Sequence, residues 1–181
     1  MRCKIRYGAH TNEKLAQDIV KELIQKYGDR DEIDFVKSKE GLPKEYKTFR
    51  EKIEFGSEEL VKEMERLAKK SFLIDVHDSG PSRQVDWTTE KLYVDASELP
   101  RVMLLFNYTP KVKDLLKKVV GYIEERYGKK FVTWVFSKGF FKGDIIGVEI
   151  IADYNNKNYY EAMKKIGVDL IGILIDTIID L

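Results

Sequence analysis

The sequence is short of cysteine and without a surplus of either charge, and each shortage removes a class of function. Cys3 is the only cysteine, so no internal disulfide can form; it sits in what reads as the first strand, where a buried free thiol suited to a reducing cytosol is expected. The 32 Lys and Arg against 31 Asp and Glu nearly cancel, so no global field draws the chain to nucleic acid or to an anionic membrane. Lys117-Lys118 and Lys129-Lys130 read as solvated helix and turn positions, not as a phosphate track. Long hydrophobic runs are missing too. The most apolar stretch, Gly167 to Leu181, is interrupted by Asp169, Asp176 and Asp180, is too short for a membrane span, and reads as a buried C-terminal helix. The opening residues lead straight into a strand with no apolar signal segment, which sets the expectation of a cytoplasmic protein.

What is present describes a globular chain. Its 181 residues, 43% hydrophobic and 35% charged, suit a single domain over 1–181 with a densely charged surface. Strand-like and helix-like stretches alternate. A strand at Cys3 to Tyr7 precedes a helix from about Asn12 to Tyr27, with Leu15, Ile19 and Leu23 on one face. The charged middle, Asp29 to Gly56, holds a short strand around Ile33 to Val36 and a surface excursion through Gly41 and Pro43, read as a lid or a loop. Ser57 starts a helix through Leu60, Met64 and Leu67, before the apolar strand Phe72 to Val76 and a His-Asp-Ser-Gly-Pro turn. Strands at Leu92 to Val94, Val102 to Phe106, Phe131 to Phe136 and Ile145 to Ile151 follow, with helices near Val112 to Tyr127 and Tyr159 to Ile179. No internal repeat or linker interrupts them. The fold class is α/β, with a mostly parallel or mixed sheet covered by helices on both faces, and sites in such folds lie at strand ends.

His10 and Glu13 stand three apart where the first strand meets the first helix, a spacing that lets both reach one ion at the mouth of a sheet. His77 follows another apolar strand and opens a turn, so it can occupy the same edge. Two imidazoles and a carboxylate, with a fourth position left to water, make a catalytic zinc site, although such ligands also suit other divalent ions. The alternative is structural: a helix-start Glu favoured by the macrodipole and two hydrogen-bonded histidines. Glu149 lies in Ile145-Ile146-Gly147-Val148-Glu149-Ile150-Ile151, a run apolar on both alternating faces, so it is expected to be buried. A buried carboxyl group is costly unless protonated, paired or beside a metal, and burial shifts it toward the basicity a general base needs. The alternative is an edge-strand Glu facing solvent or paired with Lys142.

These residues resemble a known set. Gly8-Ala9-His10-Thr11-Asn12-Glu13 resembles the Gly-x-His-x-Asn-Glu zinc motif of the carboxypeptidase-like hydrolases, closest to their aspartoacylase and succinylglutamate desuccinylase branch. Ile74-Asp75-Val76-His77 resembles the Asp-Leu-His motif that supplies the third zinc ligand there, and Gly147-Val148-Glu149-Ile150 resembles the strand carrying the catalytic glutamate. The resemblance implies a three-layer αβα, phosphorylase/hydrolase-like fold. It also implies one zinc ion held by His10, Glu13 and His77, with Glu149 as general base and later proton donor. The chain lacks the Asp-Leu-Asn-Arg segment that the family uses near its substrate. Arg50 and Arg83 are the candidates to clamp a substrate carboxylate or stabilise an oxyanion.

The activity so implied is hydrolysis of an amide in a small N-acyl amino acid or peptide, with Asp75 or Asp78 orienting a ligating imidazole, unless Asp78 instead caps its turn. Two rivals stay open. One keeps the site but acts on an ester, such as an aminoacyl-nucleic acid, or on a γ-glutamyl link. The other is a non-catalytic or regulatory metal-binding module. A small-molecule or peptide substrate is the expected partner, with neither nucleic acid nor membrane.

Overall fold

The computed structural model describes residues 2–9, 12–38, 58–79, 85–86, 91–92, 102–107, 110–127, 132–137 and 142–181. In chain order the elements are β1 (Cys3–Tyr7), α1 (Lys14–Tyr27), β2 (Ile33–Lys37), α2 (Glu58–Ala68), β3 (Phe72–Ser79), β4 (Val85–Asp86) and β5 (Lys91–Leu92). They continue with β6 (Val102–Asn107), α3 (Pro110–Tyr127), β7 (Val132–Ser137), β8 (Ile145–Ile151) and α4 (Lys157–Ile179). Six strands form one sheet in the order β2-β1-β3-β8-β6-β7, and β4 and β5 pair apart from it. From β2 to β8 all neighbours are parallel; β6 runs antiparallel to β8 and parallel to β7. The expected mixed sheet is therefore present.

Strand order dictates the layers. The connection from β1 through α1 to β2 steps one way along the sheet, and that from β2 through α2 to β3 steps back past β1. Crossovers between parallel strands are right-handed, so steps in opposite directions place their helices on opposite faces. Packing agrees. Leu15, Ile19 and Leu23 of α1 join residues of α3 and α4 in a core against Ile5, Ile74, Val76, Ile146, Val148 and Ile150. Met64, Leu67 and Ala68 of α2 cover the other face at Leu73 and Ile145. Each fully buried Leu or Ile contributes roughly 1.5–3 kcal/mol relative to exposure.

Alternation sorts the strand residues between these faces. Lys4, Arg6, Leu73, Asp75, His77, Gly147 and Glu149 are in register on the α2 side, and Ile5, Ile74, Val76, Asp78 and Val148 on the side of α1 and α4. Cys3 is fully buried, and its thiol is pushed up to about 12 by that burial. The C-terminal stretch forms α4, whose Leu170, Ile171, Leu174, Ile175 and Ile178 are buried. No helix among the described residues is long and apolar enough to cross a membrane.

β1 and β8 have the expected bounds, but β3 does not end at Val76. It continues to Ser79, so His77 lies inside a strand and does not open a turn. Pairing of Leu73 through Ser79 with Ile145 through Ile151 carries the polar residues onward as strand. The surface excursion expected after β2 lies outside the described residues.

Where β8 begins, Gly143 has φ +116°, and a Cβ there would lie 2.8 Å from Cβ of Ala68 at the end of α2. A Gly143→Ala variant is expected to lose about 1–3 kcal/mol through backbone strain and overpacking. Urea unfolding midpoints of the two proteins check it.

Candidate functional site

β1, β3 and β8 are parallel, so their C-terminal ends share one edge of the sheet. The chain leaves β1 toward β2 on one side, while β3 lies on the other, which makes the β1/β3 edge a topological switch point. Crevices form there because the two departing connections diverge. Gly8, the residue after β1, has φ +73°, a left-handed conformation that turns the chain out of the sheet at little steric cost. His10 falls outside the described residues, and description resumes at Asn12.

Glu13 immediately precedes α1, at the N-cap position, yet its side chain makes no cap hydrogen bond. Asp78 serves the helix instead: the Ala16 backbone N–H donates to Asp78 Oδ2 at 2.8 Å. The Tyr154 hydroxyl donates to Asp78 Oδ1, and the Leu15 N–H donates to that hydroxyl at 3.4 Å. Burial, reinforced by the Asp78 charge, pushes the Tyr154 phenol above its usual range. Of the two aspartates considered for orienting an imidazole, Asp78 is thus a cap for α1 on the face covered by α1 and α4.

With the cap supplied by Asp78, the Glu13 carboxylate turns to His77. His77 Nδ1 lies 3.0 Å from Glu13 Oε2 and 3.2 Å from Oε1, while Nε2 lies 2.6 Å from Asp75 Oδ2. Carboxylates only accept, so a proton on each ring nitrogen satisfies both sides. Burial alone would depress the imidazole, but the charges of Asp75 and Glu13 outweigh it and push His77 up to about 9. The His77 side chain keeps 12% exposure against 1% for Glu13, so the ring is the part of the pair that meets solvent.

Behind His77 the network reaches a buried cation. Arg6 Nη1 donates to Asp75 Oδ1 at 2.8 Å, Nε to Glu63 Oε2 at 2.8 Å, and Nη2 to Ser38 Oγ at 3.4 Å. Burial opposes the Asp75 charge, but the Arg6 guanidinium and His77 prevail and hold its carboxyl well below the usual carboxylate range. Arg6 was not legible as a site residue, because Lys-Ile-Arg-Tyr reads as a strand with its polar residues outward; only its partners, distant in sequence, bury it.

Glu149 is the Cα partner of His77 on the neighbouring strand, in register on the same face. It is buried, as are all seven residues of β8, and β8 lies between β3 and β6. The edge-strand alternative is therefore ruled out. Lys142 lies before the start of β8, and the strand rises about 13 Å from Ile145 to Glu149. Glu13, Glu63, Asp75 and Glu149 thus place four carboxyl groups around one guanidinium and one imidazole among the described residues. Glu13, Asp75 and Glu149 are buried, and buried carboxyl groups are kept by hydrogen bonds, ion pairs, protons or a bound cation.

Glu13 and His77 are of the donor types that a divalent metal accepts. One imidazole nitrogen faces a carboxylate while a second carboxylate holds the other nitrogen, the arrangement that fixes ring orientation in zinc centres. Donors on a tetrahedral zinc with bonds of about 2.0–2.1 Å stand roughly 3.3 Å apart, near the 3.0–3.2 Å between His77 and Glu13. Among the described residues no group of three His, Cys, Asp or Glu forms a complete metal cluster. Arg50 and Arg83 also lie outside the described residues.

No protein-family model matches the sequence, and no curated protein matches it. Solved structures do match. Murine aminoacylase 3 superposes with a TM-score of 0.52 at 11% identity, over 96% of this chain and 64% of that one. A single-residue mutant of the murine enzyme gives 0.51 at 10% identity, over 96% and 63%. N-acetylmuramoyl-L-alanine amidase AmiC2 of Nostoc punctiforme gives 0.47 at 14% identity, over 96% and 95%. The chain spans just under two thirds of the murine enzyme, with which it shares an α/β fold.

Proposed function

We propose that this chain is a zinc-dependent hydrolase cleaving an amide bond in a small N-acyl amino acid or peptide. The observation that carries the reading is the buried constellation of Glu13, His77 and Asp75 beside Glu149, at the edge where β1 and β3 diverge. The motif resemblance and the shared fold with aminoacylase 3 support it. Glu13 and His77 would hold the metal together with His10. Bound there, zinc supplies Lewis acidity, which eases deprotonation of water and polarises a substrate carbonyl.

The protein's own groups do the rest. Asp75 holds His77 by Nε2, leaving Nδ1 toward Glu13. Glu149 accepts a proton from the attacking water as the new C–O bond forms, and delivers it to the amine nitrogen as the C–N bond breaks. A carboxylate and an ammonium are released, the second proton of the water passing to the amine, and Glu149 returns to its starting form. Arg50 or Arg83 would pair with a substrate carboxylate or the developing oxyanion. The place of work is the cytoplasm.

Elemental analysis of the purified protein beside His10→Ala and His77→Ala tests this. Near-stoichiometric zinc in the parent, lost in both variants, is the expected result. Absence of metal in the parent after zinc is supplied would overturn the reading. A turnover screen over N-acyl amino acids, short peptides, esters and γ-glutamyl compounds then assigns the substrate, and zinc binding without turnover would identify a metal-binding module.

A further inference from the structure

We infer that Arg6 is a positioning residue for the metal centre: by pinning the Asp75 carboxylate it selects Nδ1 of His77 as the nitrogen offered to the metal. The inference rests on the metal site proposed above and extends it to a residue that touches neither metal nor substrate.

The geometry of the guanidinium carries the argument. Arg6 is 1% exposed, and its planar fork is held by groups from separate parts of the chain: Asp75 on β3, Glu63 on α2 and Ser38 after β2. Ser38 Oγ also donates to Glu63 Oε2 at 2.9 Å, which ties two of the three partners together. A fork so held cannot rotate without breaking several bonds at once. Asp75 divides its oxygens, Oδ1 to Arg6 and Oδ2 to His77 Nε2. Fixing Oδ1 therefore fixes the carboxylate plane and the direction of Oδ2. With Nε2–H donated there, Nδ1, on the Glu13 side, is the nitrogen left to exchange its proton for a metal. An ion pair serving stability alone would have no need to direct its second oxygen at a ring nitrogen.

The test compares the full chain with Arg6→Met and Arg6→Lys. Lys keeps the charge but cannot hold Asp75, Glu63 and Ser38 with one planar group. Zinc affinity is measured by competition with a chromophoric chelator, and the His77 tautomer by nitrogen NMR of the zinc-loaded proteins, in which two histidines give few imidazole signals. The parent should show Nε2–H and metal-bound Nδ1. Both variants should bind zinc about 10–100-fold more weakly and show a mixture of tautomers. If Arg6→Met fails to fold, Arg6→Lys decides. Folded variants with parental affinity and an unchanged tautomer would overturn the role of Arg6 while leaving the metal site standing; a parent that binds no zinc would overturn both.

Discussion

Glu149→Gln is expected to lose hydrolysis by about 10²–10⁴-fold, the range contributed by a positioned general acid–base, while keeping the fold and the zinc. The substitution preserves shape and removes only the ability to take up a proton at neutral pH. Glu149 stands beside His77 in register and is buried on the interior strand β8, so its loss leaves Glu13, His77 and Asp75 in place. Turnover of the substrate found by screening, zinc content and a melting curve, each compared with the parent, give three independent readings. Unchanged turnover would remove Glu149 from the mechanism, and a sharp fall in stability would mark it as a structural residue.

For Asp75→Ala the expected losses are double. Asp75 is the acceptor for both Arg6 Nη1 and His77 Nε2, and its side chain is 3% exposed. Removing one partner of a buried ion pair costs about 3–5 kcal/mol because the other charge stays buried. That is a large share of a typical domain stability of about 5–15 kcal/mol, and at this size it corresponds to a melting point lower by roughly 6–20 °C. Zinc affinity should fall about 10–100-fold as His77 loses the group that orients it. Urea unfolding of the metal-free protein reads the first effect and chelator competition the second. A variant as stable as the parent would show that Glu63 and Ser38 suffice to hold Arg6.

Much of the scaffold was legible because it follows from local apolar periodicity. Cys3–Tyr7 alternates apolar with charged residues, Ile145–Ile151 is an apolar run, and Leu15, Ile19 and Leu23 recur at helical spacing. The extent of β3 was not legible. His77, Asp78 and Ser79 have the composition of a turn, and they continue as strand because β8 pairs with them and because Arg6, Glu13 and Tyr154 satisfy their polar groups or those of Asp75. In the site, Glu13 lies at the start of α1 as expected and its carboxylate meets His77, which lies inside β3 and not at its end. Two contributors were missed for one reason. Arg6 takes its role from partners 32 to 69 residues away and Tyr154 from Asp78, 76 residues away, and nothing in the neighbouring sequence marks either one.

The division of labour on β3 also bears on folding errors. His77 belongs to the side of the sheet that carries the site, while its neighbour Asp78 reaches the opposite side to cap α1. A slip of one residue in the pairing of β3 would exchange these sides. Asp75 and His77 would be thrust into hydrocarbon, Asp78 would abandon the helix, and Ile74 and Val76 would confront a buried arginine. Charge and oil thus penalise the same mistake, and the strand that bears the site has its alignment proofread from both sides.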